Sequence, residues 1–291
     1  MLNKNEVDGY SEFTKRCFLG KQLKIKALGL KMNRDPFKSV FYKDSIPDWY
    51  CPTCGKRLLK LLEDTLLFKE TLESRVKRDR REDWYPDEEQ YVYTCMFECS
   101  NERCKQIVAS SGRGGVQEIP HQTREGKVQV EFIDYFEPKV FIPPLKIIDI
   151  PYDTPKSVRN ELQYSFGLYF VDPGASANHA RASLELLLNE LKIKRFRIRQ
   201  HKRIRLSLHE RIGLLPIKYD SIKPLFYAIK WLGNAGSHGG SVMSKNDVLN
   251  LYEILSELLH SVYDNKQKGS KIWPGRLTNE KDQYLKPNKR L

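Results

Sequence analysis

Residues 141–155 read FIPPLKIIDIPYDTP, and four prolines in this stretch break any regular element and divide the chain into halves of different periodicity. On the N-terminal side the apolar residues fall in short aromatic and β-branched runs: YVYTCMF at 91–97, KQIVAS at 105–110 and KVQVEFIDYF at 127–136. Turn-like SNER and GRGG segments separate them, so this half predicts small β structure. One segment there is ambiguous. Lys56–Arg81 has helix-forming composition, yet its apolar spacing fits helix or strand.

On the C-terminal side the spacing becomes helical. Thr154 is a plausible N-cap with Pro155 at the first helical position, followed by Val158, Leu162, Phe166 and Tyr169. A second pattern starts near Ser176 and places Ala180, Leu184, Leu187, Leu188 and Leu191 on one face. A third has Ile222, Leu225, Phe226, Ile229 and Leu232, with Pro224 in its first turn and Gly233 and Asn234 as its C-cap. The last begins at Ser244, with Asp247 three residues on, and carries Val248, Leu251, Tyr252, Leu255, Leu258, Leu259 and Val262. The expected fold class is α+β. A β domain with a helical insertion spans 1–145, a helical bundle 146–265 and a basic tail 266–291.

Charge follows the same division. The chain has 50 Lys+Arg against 37 Asp+Glu, a net of +13. Lys192–Arg205 holds eight basic residues and no acidic one, and Asp264–Leu291 holds eight basic and three acidic. These two surpluses account for the whole excess, so the expected picture is two basic patches rather than a basic surface, the usual address of a polyanion. In KIKRFRIRQHKRIR, charge alternates with Phe196 and Ile198 at period two, which predicts a strand or hairpin with one charged face. Lys194, Arg195, Arg197, Arg199, Lys202, Arg203 and Arg205 are the candidate nucleic-acid contacts. An acidic partner protein would suit the same charges. A short helix is expected around SLHERIGLL, residues 207–215. GRGG at 112–115 lacks the Lys and the Ser/Thr of a phosphate-binding loop.

Six cysteines stand at 17, 51, 54, 95, 99 and 104. Cys51 and Cys54 sit in CPTCG, and Cys99 and Cys104 in CSNERC. Two tight turns that each present two thiolates are what a tetrahedral Zn²⁺ needs, so the β domain reads as zinc-ribbon-like with one structural zinc. Cys95, on the same side of its strand as Cys99, is an alternative ligand. Cys17 reads as a core residue. No run approaches a membrane span, and MLNKNEVDGY lacks a signal peptide's apolar core, which predicts a soluble, cytoplasmic protein with no membrane contact.

The helical half also carries AIKWLGNAGSHGG at 228–240. Capping explains its Gly and Asn but does not call for a histidine. Continued helically, Lys230, Asn234 and His238 share one face, where cation, amide and imidazole could bind phosphate. The order CPTCG, CSNERC, the proline linker, ANHARASLELLL at 177–188 and IKWLGNAGSHGG resembles, over roughly 47–263, a bacterial domain of unknown function related to the HEPN helical domains of restriction-modification and phage-defence loci. The resemblance implies a HEPN-like bundle, a homodimer and an RNA partner. It also implies metal-independent ribonuclease chemistry in which a histidine serves as general acid/base and an arginine steadies the phosphorane. His238 then matches the histidine and Asn234 the polar position, but the arginine position is Gly233. Lys230 one turn earlier, or Arg181 from the second helix, would have to supply the charge, although a lysine does not reproduce a guanidinium fork. Arg181 also stands four residues before Glu185, where a plain helix pair accounts for it. Nucleic-acid binding within a defence system is therefore the first expectation, ribonuclease activity the second, and docking to an acidic defence-system partner the third.

Overall fold

Tyr91, Tyr93, Cys95, Phe97 and Cys99 are buried on one side of a single strand, while Val92, Thr94 and Met96 face outward. That period-two split fixes the N-terminal half as a sheet with one covered face. In the computed structural model, which describes residues 32–122, 126, 128–235 and 243–264, the strands are β1 (Leu59–Glu70), β2 (Gln90–Cys99), β3 (Ile107–Gln122) and β4 (Val128–Ile142). They form an antiparallel meander in chain order.

The ambiguous segment divides between the two alternatives. Residues 59–70 pair along β2 from Leu59↔Cys99 to Glu70↔Tyr91, with an irregularity between Leu62 and Leu67. Only after Glu70 does a helix start, α1 (Leu72–Arg80), where the Thr71 side chain accepts a hydrogen bond from the Ser74 N–H. Pairing with β2 outweighs the helical composition of the first part, as tertiary context commonly does.

GRGG departs from expectation, because it lies inside β3 and not in a turn. A β-carbon on Gly112 would stand 2.1 Å from the Glu137 carbonyl oxygen, and one on Gly114 would stand 2.5 Å from that of Tyr135. The glycines let β3 and β4 approach where the ladder shifts register at Ser111/Gly112.

The covered face of the sheet holds an aromatic core. Phe41 lies with its ring centroid 5.2 to 5.8 Å from those of Trp49, Tyr93, Phe97 and Phe136, mostly edge to face. Trp49 satisfies its indole N–H on the Pro36 carbonyl at 2.7 Å. The core continues into the helices through Phe141 and Phe170, 5.0 Å apart, and through buried Leu145, Ile147 and Ile148 of the linker. Arg34 also forks onto Glu253, and Lys245 pairs with Glu137 at 3.1 Å, so charged ties join the same two halves.

The helices are α2 (Lys156–Leu168), α3 (Pro173–Glu190), α4 (Leu208–Gly213), α5 (Lys223–Ala235) and α6 (Lys245–Tyr263). α3 touches α2, α4, α5 and α6, which makes it the central rod. Three buried hydroxyls lock it in place: Tyr252 of α6 lies 2.7 Å from Ser165 of α2 and 2.8 Å from Ser176 of α3. The structure moves two predicted boundaries. Thr154 is not the cap of α2, since Pro155 occupies that position without a side-chain cap bond. α5 does not end at Leu232 but runs on to Ala235, so Gly233 and Asn234 are helical. At Ser244 the capping box with Asp247 forms as expected. Cys17, His238 and the tail from 266 lie outside the described residues.

Candidate functional site

Cys51, Cys54, Cys99 and Cys104 converge, with all four sulfurs within 4.8 Å of one another. Cys51 and Cys104 are 3.8 Å apart at Sγ, and Cys54 and Cys99 are 3.6 Å apart. A metal ion bonded to four sulfurs at about 2.3 Å would set the tetrahedral edge at about 3.8 Å, so the cluster has the dimensions of a metal site. Its two loops are built alike. In the first, the Gly55 N–H donates to the Cys51 carbonyl with Gly55 at φ +61°, a left-handed conformation that favours glycine. In the second, Cys104 and Lys105 both donate to the Asn101 carbonyl, and Lys105 takes the left-handed position at φ 47°. The Ser100 N–H reaches the Leu58 carbonyl and ties one loop to the other.

Backbone donors also reach the sulfurs. The Asn101 N–H is 3.4 Å from the Cys99 sulfur. Burial disfavours the Cys54 thiolate, but the Lys56 and Arg57 N–H groups and the adjacent thiols outweigh it and bring the thiol down to about 6. Cys95 is elsewhere, in the aromatic core, where burial pushes its thiol up to about 12. Of the two cysteines on the same side of β2, Cys99 is the one that joins the cluster.

The basic stretch forms a hairpin, β5 (Phe196–Arg199) and β6 (Lys202–Arg205), turning through Gln200 and His201. Both turn residues have positive φ, 48° and 59°, as a two-residue loop with matching twist requires. One detail differs from expectation. Cross-strand pairing puts Phe196, Ile198, Arg203 and Arg205 on one face and Arg197, Arg199, Lys202 and Ile204 on the other, so both faces are charged. The Arg203 guanidinium lies over Phe196, 3.8 Å from the ring centroid. Among the described residues, Arg197 pairs with Glu210 at 2.9 Å and Arg205 with Glu185 at 3.5 Å, while Arg199, Lys202 and Arg203 have no carboxylate partner.

Behind the hairpin is a cleft of about 370 Å³ lined by Arg181, Glu185, Arg195, Arg205, Glu210 and Arg211, among others. Glu185 takes Arg181 at 2.9 Å as well as Arg205, so the predicted i, i+4 pair exists and is shared. On α5, Lys230 and Asn234 are half-buried. Burial, and then the charge of Arg181, pull the Lys230 ammonium below its ordinary value. Gly233 abuts Arg181 directly: a β-carbon there would meet the Arg181 Cβ at 2.6 Å.

Two family models match the chain. Residues 39–141, the sheet with its cysteine loops, match a family described as "Domain of unknown function (DUF8608)". Residues 164–274, from within α2 onward, match one described as "Domain of unknown function (DUF4145)". No curated protein and no solved structure matches. Among the described residues, no helix is long and apolar enough to cross a membrane.

Sequence reasoning missed Arg211. It is only 4% exposed and reaches the end of α3, with Nη2 donating to Asn189 Oδ1 at 2.7 Å and to the Ile193 carbonyl at 3.3 Å. Its Nη1 also donates to the Glu185 carbonyl at 3.4 Å, so one guanidinium ties the last turns of α3 to the segment that follows them. Burial lowers its pKa, and nearby Arg195 and Arg205 lower it further against the pull of Glu185. Nothing around the ERIG stretch marks this arginine as buried, since only the packing of α4 against α3 makes it so.

Proposed function

We propose that this is a nucleic-acid-binding protein, with RNA as the favoured ligand, in which a zinc-knuckled β domain supports a HEPN-like helical bundle. The observation that carries the reading is the hairpin β5–β6, an exposed two-stranded finger with unpaired cations on both faces and arginine stacked on Phe196. Cations on both faces suit a flexible strand that can wrap the finger, and Phe196 and Ile198 offer apolar surface to unstacked bases. Cys51, Cys54, Cys99 and Cys104 would hold one Zn²⁺ as a closed structural site. Four thiolates are a soft donor set, and four protein ligands leave no position for a reacting water. The setting we propose is an anti-phage defence or restriction system with the protein as a homodimer, supported by the motif order and the HEPN-like half.

A direct test is fluorescence anisotropy with labelled single-stranded RNA, single-stranded DNA and duplex DNA across a salt series. Replacing Arg199, Lys202 and Arg203 by Ala is expected to weaken RNA binding about 10- to 100-fold and to flatten the salt slope by about 0.7 per phosphate contact removed. Unchanged affinity and slope would reject the reading, and absence of nucleic-acid binding would favour an acidic partner protein. A second reading, metal-independent RNA cleavage, is favoured by Gly233 of α5 seating directly on Arg181 of α3, three residues from Lys230. It requires cleavage in EDTA that His238→Ala abolishes.

A further inference from the structure

The cleft behind the hairpin differs from the finger in its concave lining and in holding two arginine donors that are buried without a partner among the described residues. Arg181 and Arg211 both line it, and in each the Nε–H is buried without an acceptor among the described residues. The Arg211 Nη groups are taken by Asn189 and by the Glu185 and Ile193 carbonyls. Four guanidiniums (Arg181, Arg195, Arg205, Arg211) and two carboxylates (Glu185, Glu210) line it, and Glu210 is also paired with Arg197 outside the lining, so the surplus is at least two positive charges.

We propose that this cleft receives the terminal phosphate of the nucleic-acid strand whose following phosphates run along the hairpin. The inference rests on the nucleic-acid reading and adds end recognition to it. A terminal monoester carries close to two negative charges at neutral pH, matching the surplus, whereas an internal diester carries one. A diester must also lead two chain arms out of the cleft, and a monoester only one. The volume suits a phosphate with its nucleoside, falling within the range of about 300 to 1,000 Å³ typical of small-ligand sites. Arginine forks are the side chains best matched to phosphate oxygens, and Arg205 belongs to both cleft and hairpin, so one strand can pass from one to the other.

The experiment uses the full chain and three internally labelled RNAs of about ten nucleotides, with a 5′ phosphate, a 3′ phosphate or hydroxyls at both ends. One phosphorylated RNA is expected to bind about 10-fold tighter than the hydroxyl RNA, the effect of an added charge-assisted contact. Arg205→Ala and Arg181→Met should bring that ratio to about 1, while Arg199→Ala with Lys202→Ala should weaken all three RNAs and keep the ratio. Arg211→Lys, which keeps the buried charge, guards against loss of folding and should also reduce the ratio. Equal binding of the three RNAs, with the Arg199/Lys202 variant still weakened, overturns the cleft inference and leaves the hairpin reading standing. Binding of none overturns both. Binding of a nucleoside 5′-monophosphate together with no binding of any of the three RNAs overturns both and makes the cleft a free-nucleotide site.

Discussion

A β-carbon on Gly233 of α5 would lie 2.6 Å from the Cβ of Arg181 on α3 and 3.2 Å from the Ala177 carbonyl oxygen. The two helices therefore touch at Gly233, where a larger side chain would meet the base of Arg181. Glycine inside an exposed helix costs about 1 kcal/mol relative to alanine, so Gly→Ala normally stabilises. Here Gly233→Ala should instead destabilise by about 1 to 3 kcal/mol, because the clash is with the base of a side chain and not its flexible end. Urea or thermal unfolding decides the sign, and a more stable alanine variant would mean that α3 and α5 have room to spare.

The cysteine cluster predicts about one zinc per chain by elemental analysis of purified protein. Cys99→Ser should release the metal and unfold the knuckles, whereas Cys95→Ser should keep the metal and weaken only the aromatic core. Because the ligands bind as thiolates, protons compete with the ion, and metal should be lost on acidification and retained at neutral pH. Equal metal loss in the two variants would contradict the assignment of Cys99 as the ligand.

Glu137 accepts from Lys139 at 2.7 Å and from Lys245 at 3.1 Å, joining β4 to the start of α6. Burial acts to raise its pKa, but the two lysines prevail and hold it below the ordinary 4.5. A depressed carboxylate stabilises the fold above its unfolded pKa and loses that contribution as pH falls through the folded value. Glu137→Gln should therefore cost stability at pH 7 and nothing at pH values below both. With about a third of the side chain in water, the cost should be below about 1 kcal/mol. Unfolding curves at the two pH values measure the difference.

At the hairpin tip, Gln200 and His201 both occupy left-handed backbone, where a β-carbon is disfavoured. Replacing them by Gln200→Asn and His201→Gly, the preferred pair for this turn, should stabilise the hairpin by about 1 kcal/mol. Slower hydrogen exchange of the β5 and β6 amides would show it. RNA affinity should hold or rise, since the finger is better ordered and the unpaired cations are untouched.

Strands β2 and β4, the helices after the proline linker and the capping at Ser244 were legible because each rests on a local signal. The cysteine pairs were legible as well, since CPTCG and CSNERC announce their turns. Lys56–Arg81 was not, because Leu, Lys and Glu at those spacings satisfy either structure until β2 is present to pair with. The β3 glycines look like a turn for a similar reason, as the carbonyls they make room for belong to β4.

The amino-acid sequence determined the α+β division at the proline linker, the positions of the thiolates and the concentration of charge in Lys192–Arg205, all of which depend on neighbours close along the chain. Tertiary structure decided that Cys99 and not Cys95 joins the cluster, that both faces of the hairpin are charged, and that Arg211 is buried behind it beside Arg181. Those outcomes depend on which distant surfaces meet. Burial, shared carboxylates and unmet donors arise only when α3, α4 and the hairpin pack together, and residue spacing along one element carries no record of that.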